Sequence, residues 1–350
     1  MDSITSALCD IDENNVSLID YKNFNFSTKT KVLLQNCLNL KTQEISELNF
    51  LIGRDFARAL KTHITNLKTR IDLCGFHGQT VFHHSGLSRV KSSLQLGVPE
   101  YIAEKAKCFV VSDFRVRDIV CGGEGAPLSP WGDLRIFSVN EPFCVLNLGG
   151  IANYTYIDRK REIILGFDTG PGNCLIDKTV KFFRLAEENF DRNGHLGQKG
   201  SVDRKLLSFM LSLDDYFSLK PPKSCGLERF GDNFIRICRK KFPNINELNF
   251  LRTIYEYTLI GIKAGLRFLP KFNLLIICGG GSQNHFLINL LREGLKKQIA
   301  LSDDFGVPWH AREAMIFAVL AYDFIMGLPT NVPAVTGAKK RRLLGRLVFP

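Results

Sequence analysis

Three apolar runs in this chain end in glycine clusters: LNLGGIAN at 146–153, LGFDTGPGN at 165–173 and LLIICGGGSQN at 274–284. Glycines at strand ends let backbone N–H groups converge on an anion and let the chain approach a ligand closely. One such turn is ordinary structure, whereas three in one half of a chain point to a nucleotide or phosphate cleft. None reads GxxxxGK(S/T) and none is a GxGxxG opening a helix, which disfavours the P-loop and Rossmann patterns.

The rest of the chain supplies strands and helices in two similar rounds. SITSALCDI and VSLIDYKNF are β-rich runs about the turn-former DENN and read as a hairpin. Residues 30–70 read as helical, with Ile45, Leu48, Leu51, Ile52, Phe56 and Leu60 at roughly helical spacing. RIDLCGFHG and CFVVSDF read as strands with a helix before the second, and CGGEGAPLSP is loop chemistry. In the second half, FCVLNLGG, NYTYIDR and EIILGFD are successive strand candidates. Helices over about 174–265, the strand NLLIICGGG and the helix EAMIFAVLAYDFIMG follow. Hairpins followed by helices, twice over, give an α/β chain of two related domains, 1–141 and 142–350.

At 350 residues with 45% hydrophobic residues, the chain can bury a sizeable core. Its ten cysteines are dispersed without CxxC pairs or histidines at metal spacing, which reads as reduced thiols and no metal site. MDSITSALCDIDENN has acids where a signal peptide is basic and then apolar, and no run approaches membrane-spanning length; a cytoplasmic protein is expected. The net charge of +11 comes from bases interspersed with acids, so nucleic acid is not the expected partner. The dense run KKRR at 339–342 reads as a solvated tail segment.

The motif series HGQTVFHH (77–84), SLQLG (93–97), IAEKAKCFVVSDFRVRDIVCGGEGAPLSP (102–130), LNLGGIANYT (146–155), GFDTGPGNCLID (166–177), PPKSCGLERF (221–230), GGGSQNHFLINLL (279–291), EAMIFAVLA (313–321) and PTNVPAVTGA (329–338) resembles that of the anhydro-N-acetylmuramic acid kinases. The resemblance implies two ribonuclease-H-like domains of the actin-like ATPase type, with ATP in the cleft between them. It also implies an activity: water opens the anhydro ring of the amino sugar and O6 is phosphorylated from ATP with Mg²⁺, as part of cell-wall recycling. A homodimer is among the implied partners, and a membrane is not.

Residue by residue, the resemblance makes Asp168 the catalytic base and Glu313 a second acid that orients water or sugar. Glu313 read by itself is a first-turn carboxylate favoured by the helix dipole. Arg115 matches a substrate-contacting arginine suited to bidentate capture of a carboxylate or phosphate, or else a surface partner of Asp113 or Asp118. His77 is assigned to sugar-pocket shaping, and its neighbours His83 and His84 lack zinc spacing. Gly170 and Asn173 are expected at the substrate. Gly149 and Gly150 are expected at phosphate, and Gly279, Gly280, Gly281 and Asn284 along the adenosine.

The series departs from the family at several points. Family members open with a strand and a GTS-type phosphate turn before an MDGID-like segment, and here MDSITSAL stands at that segment. The first strand of the first domain and its phosphate hairpin are therefore expected to be missing. The alternative reading is a catalytically impaired sugar-binding relative. Glu124 stands where glutamine is usual, and Cys225 and Leu227 where threonine and arginine are.

Overall fold

The computed structural model describes residues 3–83, 90–160 and 162–350. The chain forms two compact units, Met1–Ser138 with Gly306–Pro350, and Val139–Phe305.

In the first unit, β1 (Ser3–Ile11) and β2 (Val16–Asn25) pair antiparallel about the turn at Asp12, whose carboxylate accepts the N–H groups of Asn14 and Asn15. The helical stretch after it is two helices, α1 (Thr28–Gln35) and α2 (Thr42–Asn66). Ser27 caps the first, and the Glu44 carboxylate reaches back to the Lys41 N–H at the start of the second, so each has its own terminus signal. Leu48, Ile52 and Ala59 of α2 share a buried core with Ile4 and Phe26. Then come β3 (Leu73–Phe76), β4 (Gln79–His83), β5 (Ser93–Leu96), α3 (Glu100–Ala106), β6 (Phe109–Ser112), α4 (Val116–Val120) and α5 (Ser129–Ile136). β3 and β6 are parallel neighbours, and β4 and β5 form a separate hairpin.

The second unit begins with β7 (Phe143–Leu148), β8 (Ile151–Ile157) and β9 (Ile163–Pro171), an antiparallel meander. After α6 (Cys174–Phe183), α7 (Arg204–Ser212), α8 (Asp232–Lys241) and α9 (Glu247–Leu266) comes β10 (Leu274–Cys278), then α10 (His285–Gly294) and β11 (Gln298–Leu301). The sheet order is β11-β10-β7-β8-β9, with β10 parallel to both of its neighbours. An antiparallel meander extended by parallel strands is the ribonuclease-H-like arrangement. β10 is buried at every position, which explains why LLIIC reads as an unbroken apolar run rather than an alternation. α9 lies over the meander, with Phe250, Ile254, Tyr257 and Ile262 in the core, and starts at Asn246, whose side chain accepts two backbone N–H groups.

The last 45 residues correct the expected division, which kept everything after residue 142 together. α11 (Arg312–Ile325), α12 (Pro333–Thr336) and β12 (Arg346–Val348) belong to the first unit. β12 pairs antiparallel with β6, completing a three-stranded sheet β12-β6-β3, and α11 packs on β3 and β1. The contact with β3 is close enough that a Cβ on Gly75 would collide with the Phe317 carbonyl. Among the described residues, no strand joins the β1–β2 hairpin to this sheet.

Side chains of α5 and α11 hold these pieces together. Arg312 makes a bidentate pair with Asp133, Nε to Oδ1 at 2.9 Å and the second nitrogen to Oδ2 at 2.6 Å, both residues being buried. Trp131 donates to Asp323, and Arg135 donates to the backbone carbonyls of Asp12 and Glu13, fixing the hairpin turn. The KKRR run is exposed at Lys339, Lys340 and Arg341 yet held to the unit: Lys339 N–H bonds the Cys121 carbonyl, Arg342 N–H bonds the Asn331 side chain, and Arg341 lies over the Trp131 ring.

Removing one partner of a buried ion pair strands the other charge. Asp133→Ala is expected to destabilise the first unit by about 3–5 kcal/mol, seen as a lowered midpoint in thermal or urea unfolding.

Candidate functional site

Asp168 does not sit in the turn that the glycines around it suggest. It lies inside β9, opposite Asn153, where the pairing slips: Ala152 faces Gly170 and Asn153 faces Asp168, leaving Thr169 as the extra residue of a bulge. The bulge breaks the strand's alternation here. The Asp168 carboxylate accepts the Cys225 N–H at 3.0 Å, its own N–H donates to the Lys223 carbonyl, and its carbonyl accepts the Tyr216 hydroxyl at 3.0 Å. Burial raises its pKa to about 6, against the lowering effects of the Cys225 N–H and the Lys223 ammonium. A carboxylate so held is ionised at neutral pH and is basic enough to accept a proton.

The glycine turns of this unit meet one another. Gly149 and Gly150, between β7 and β8, present carbonyls to the N–H groups of Gly172, Asn173 and Cys174 at 2.8–3.1 Å, which locks the β7–β8 turn onto the start of α6. A Cβ on Gly281 would press on Leu148 and the Asn173 amide, and Gly279 has a positive φ of 82° against Leu148. Gly280 opens the short turn of helix after β10. Gly170, at φ 141°, accommodates the Phe217 ring. Asn284 has its side chain engaged at both ends: it caps α10 through the Leu287 N–H and donates to the Tyr255 hydroxyl at 2.7 Å.

In the first unit, Arg115 precedes α4 and is held on two sides. Its Nε donates to His77 Nε2 at 3.0 Å, and a terminal nitrogen donates to the Gly125 carbonyl at 2.8 Å. His77 bonds the Gly78 carbonyl through Nδ1 and stacks on Phe317 with ring centroids 4.3 Å apart. Burial, and then the Arg115 charge, pull the His77 pKa down to about 3, so the ring is neutral and presents Nε2 as an acceptor. Glu313, exposed in the first turn of α11, acts on Arg115 as a nearby opposite charge.

Neither expected surface pair forms at Arg115. Asp118 is fully buried and accepts the Gly125 N–H at 2.8 Å, the Thr336 hydroxyl at 2.8 Å and the Asn331 amide at 3.0 Å. It thereby ties the 121–125 loop to the 331–336 segment, and a Cβ on Gly123 would collide with it. His83 bonds Ser93, and His84 lies outside the described residues. Among the described residues, no three of His, Cys, Asp and Glu converge to hold a metal.

The family model for anhydro-N-acetylmuramic acid kinase matches residues 1–350. The chain belongs to that family. It is 34% identical over 372 aligned residues to the anhydro-N-acetylmuramic acid kinase of Bacillus cereus (strain 03BB102), covering 100% of this chain and 97% of the relative. The enzyme of the same name from Bacillus thuringiensis (strain Al Hakam) is also 34% identical, with 100% and 96% covered. Among solved structures, the activator of the 2-hydroxyisocaproyl-CoA dehydratase from Clostridium difficile with bound ADPNP aligns over 93% of this chain at 9% identity, with a TM-score of 0.44. No helix among the described residues is long and apolar enough to cross a membrane.

Two groups of residues escaped the sequence reading. Tyr216, Lys223 and the Cys225 backbone surround Asp168 from about fifty residues away. Buried Asp191 accepts the N–H groups of Leu196 and Gly197 and the Tyr255 hydroxyl, extending the Asn284 network. The segment PPKSCGLERF (221–230) belongs to the motif series and is the sequence signal for the first. Nothing in the spacing of Asp191, Tyr255 and Asn284 marks the second.

The three donors on Asp118 differ in replaceability. Thr336→Val is expected to cost about 1–2 kcal/mol, chiefly for the bond to Asp118, and Asp118→Ala more, because it removes an acceptor shared by three donors at once. Unfolding midpoints of the two variants check the order.

Proposed function

We propose that the chain is an ATP-dependent kinase that hydrolyses the 1,6-anhydro ring of anhydro-N-acetylmuramic acid and phosphorylates O6, with Asp168 as general base. The observation that carries the assignment of the base is the part-buried carboxylate beside the β9 bulge, oriented by the Cys225 N–H and with its pKa raised to about 6.

Water is a weak nucleophile toward an acetal carbon. Asp168 takes a proton from the water as its oxygen bonds to C1. The C1–O6 bond breaks, and O6 takes the γ-phosphoryl group of ATP with release of ADP. The product is N-acetylmuramic acid 6-phosphate. A base with a pKa near 6 is well matched to this step, being free of its proton at pH 7 yet far more basic than an exposed aspartate.

In the first unit, Arg115 is the anion-binding group of this reading. Its direction is set by His77 and Gly125, and its planar fork suits a sugar carboxylate or a phosphate. His77 orients Arg115, and Glu313 is the second acid. In the second unit, the locked turns at Gly149–Gly150 and Gly279–Gly281 support the nucleotide phosphates and adenosine, and Gly170 and Asn173 border the sugar. Mg²⁺ belongs to this reading as an ion carried by ATP, whose phosphate oxygens would supply part of its shell. A cytoplasmic setting and a homodimer complete it.

Asp168→Asn is expected to lose phosphorylation of the anhydro sugar by at least about a hundredfold while remaining folded at pH 7.5. Burying this carboxylate raises its folded-state pKa, so its ionisation costs stability above pH about 6 and that cost disappears as the pH falls and the acid is protonated. The neutral amide avoids the cost, and its thermal midpoint at pH 7.5 should equal or exceed that of the parent. Retained turnover would remove Asp168 from the mechanism. For the parent, kcat/KM should fall as the pH drops below about 6, following protonation of the base.

A further inference from the structure

The residues that surround Asp168 on three sides come from one short segment. The Tyr216 hydroxyl donates to the Asp168 carbonyl at 3.0 Å, the Lys223 carbonyl accepts the Asp168 N–H at 3.2 Å, and the Cys225 N–H donates to the carboxylate at 3.0 Å. The segment is closed on itself, because the Lys223 ammonium donates to the Tyr216 carbonyl at 3.0 Å. That ammonium also lies 4.5 Å from the centre of the Tyr216 ring and 5.4 Å from that of Phe268.

The start of the segment is anchored in the core. Tyr216 is 1% exposed, packs edge-on against Phe230, and has the Arg229 guanidinium 4.9 Å from its ring centre. Arg229 is itself paired with Asp214, whose carboxylate also accepts the Tyr216 N–H at 2.7 Å. Phe217 fills the space left by Gly170 and Gly261, and its carbonyl accepts Arg267 at 2.6 Å. A surface loop that needed only to connect two helices has no use for these contacts.

We propose that residues 216–225 form a strap that sets the position and the charge environment of Asp168, with Tyr216 and Lys223 as its positioning residues. The inference rests on the reading of Asp168 as the base and extends it to groups that touch neither water nor sugar in that reading.

The physical case has two parts. Orientation comes from main-chain bonds on both sides of the Asp168 Cα, through its N–H and its carbonyl, so χ1 of the aspartate starts from a fixed frame even at a bulge, where ladder bonds are interrupted. Charge comes from Lys223, the cation that acts on Asp168 within the second unit; the other titratable groups acting there are the neutral Tyr216 hydroxyl and the Cys225 thiol. Burial holds that thiol in its protonated form, at a pKa of about 12. Arg267 acts in turn on Lys223, and burial lowers the lysine's own affinity for its proton.

Tyr216→Phe keeps the ring and its packing and removes one donor. It is expected to lower kcat about tenfold with little change in KM. Lys223→Met keeps the aliphatic stem over the two rings and removes the charge, so it should move the acid limb of the kcat/KM profile to higher pH, because the ammonium, together with the Cys225 N–H, favours the ionised carboxylate. A merely structural strap would lower the unfolding midpoint of both variants and leave the limb and the kcat-to-KM split where they are in the parent. That outcome, with Asp168→Asn inactive, overturns the proposal. Turnover retained in Asp168→Asn overturns the base assignment instead, and the strap's role falls with it. Should Tyr216→Phe not fold, the pH limb of Lys223→Met decides by itself.

Discussion

Three backbone hydrogen bonds determine how much of the second unit is built. The carbonyls of Gly149 and Gly150 receive the N–H groups of Gly172, Asn173 and Cys174, so the turn between two strands of the meander is bonded to the entry of the helix that follows the third. This fixes the end of β9, and everything at Asp168 is measured from there. A side chain on Gly172 would strike the Gly149 carbonyl, so the bonds exist only because that position has none. The third turn closes against the same place through Gly279 and Gly281, both of which crowd Leu148.

The two units solve the problem of holding a polar group in a buried place in different ways. Around Arg115 the structure uses a neutral histidine as acceptor and a backbone carbonyl, and the buried Asp118 carboxylate serves instead to tie loops together. The arginine thus keeps its charge uncompensated by a bidentate partner, which leaves it suited to an incoming anion. At Asp168 the structure instead leaves desolvation largely unopposed, with one N–H on the carboxylate and one ammonium acting on it, and the acid's pKa rises accordingly. Opposite treatments of burial leave a charged guanidinium with its fork open in one case and a carboxylate of raised pKa in the other.

Much of the architecture is legible in the chain because it depends on local periodicity and turn chemistry. The β1–β2 hairpin about Asp12, the apolar β7 and β10, and the glycine turns after them all carry their cause within a few residues. The family is legible too, since GFDTGPGN belongs to a motif series that runs most of the length of the chain. The break between α1 and α2 is local as well, in the Ser27 and Glu44 capping bonds, but the apolar spacing that runs across both helices masks it.

What the chain alone determined was the class of fold, the family and the short list of polar residues at its glycine turns. Tertiary structure alone decided three further matters, because each depends on partners far apart in sequence. The return of α11 and β12 to the first unit follows from β6 having a free edge and from Gly75 and Asp133 meeting Phe317 and Arg312. Arg115 bonds His77 and Gly125 rather than a neighbouring aspartate, while Asp118 is engaged by Gly125, Asn331 and Thr336. The bulge that carries Asp168 and the strap that holds it arise from register and from a segment some fifty residues on, and no spacing rule reads hydrogen bonds across such a distance.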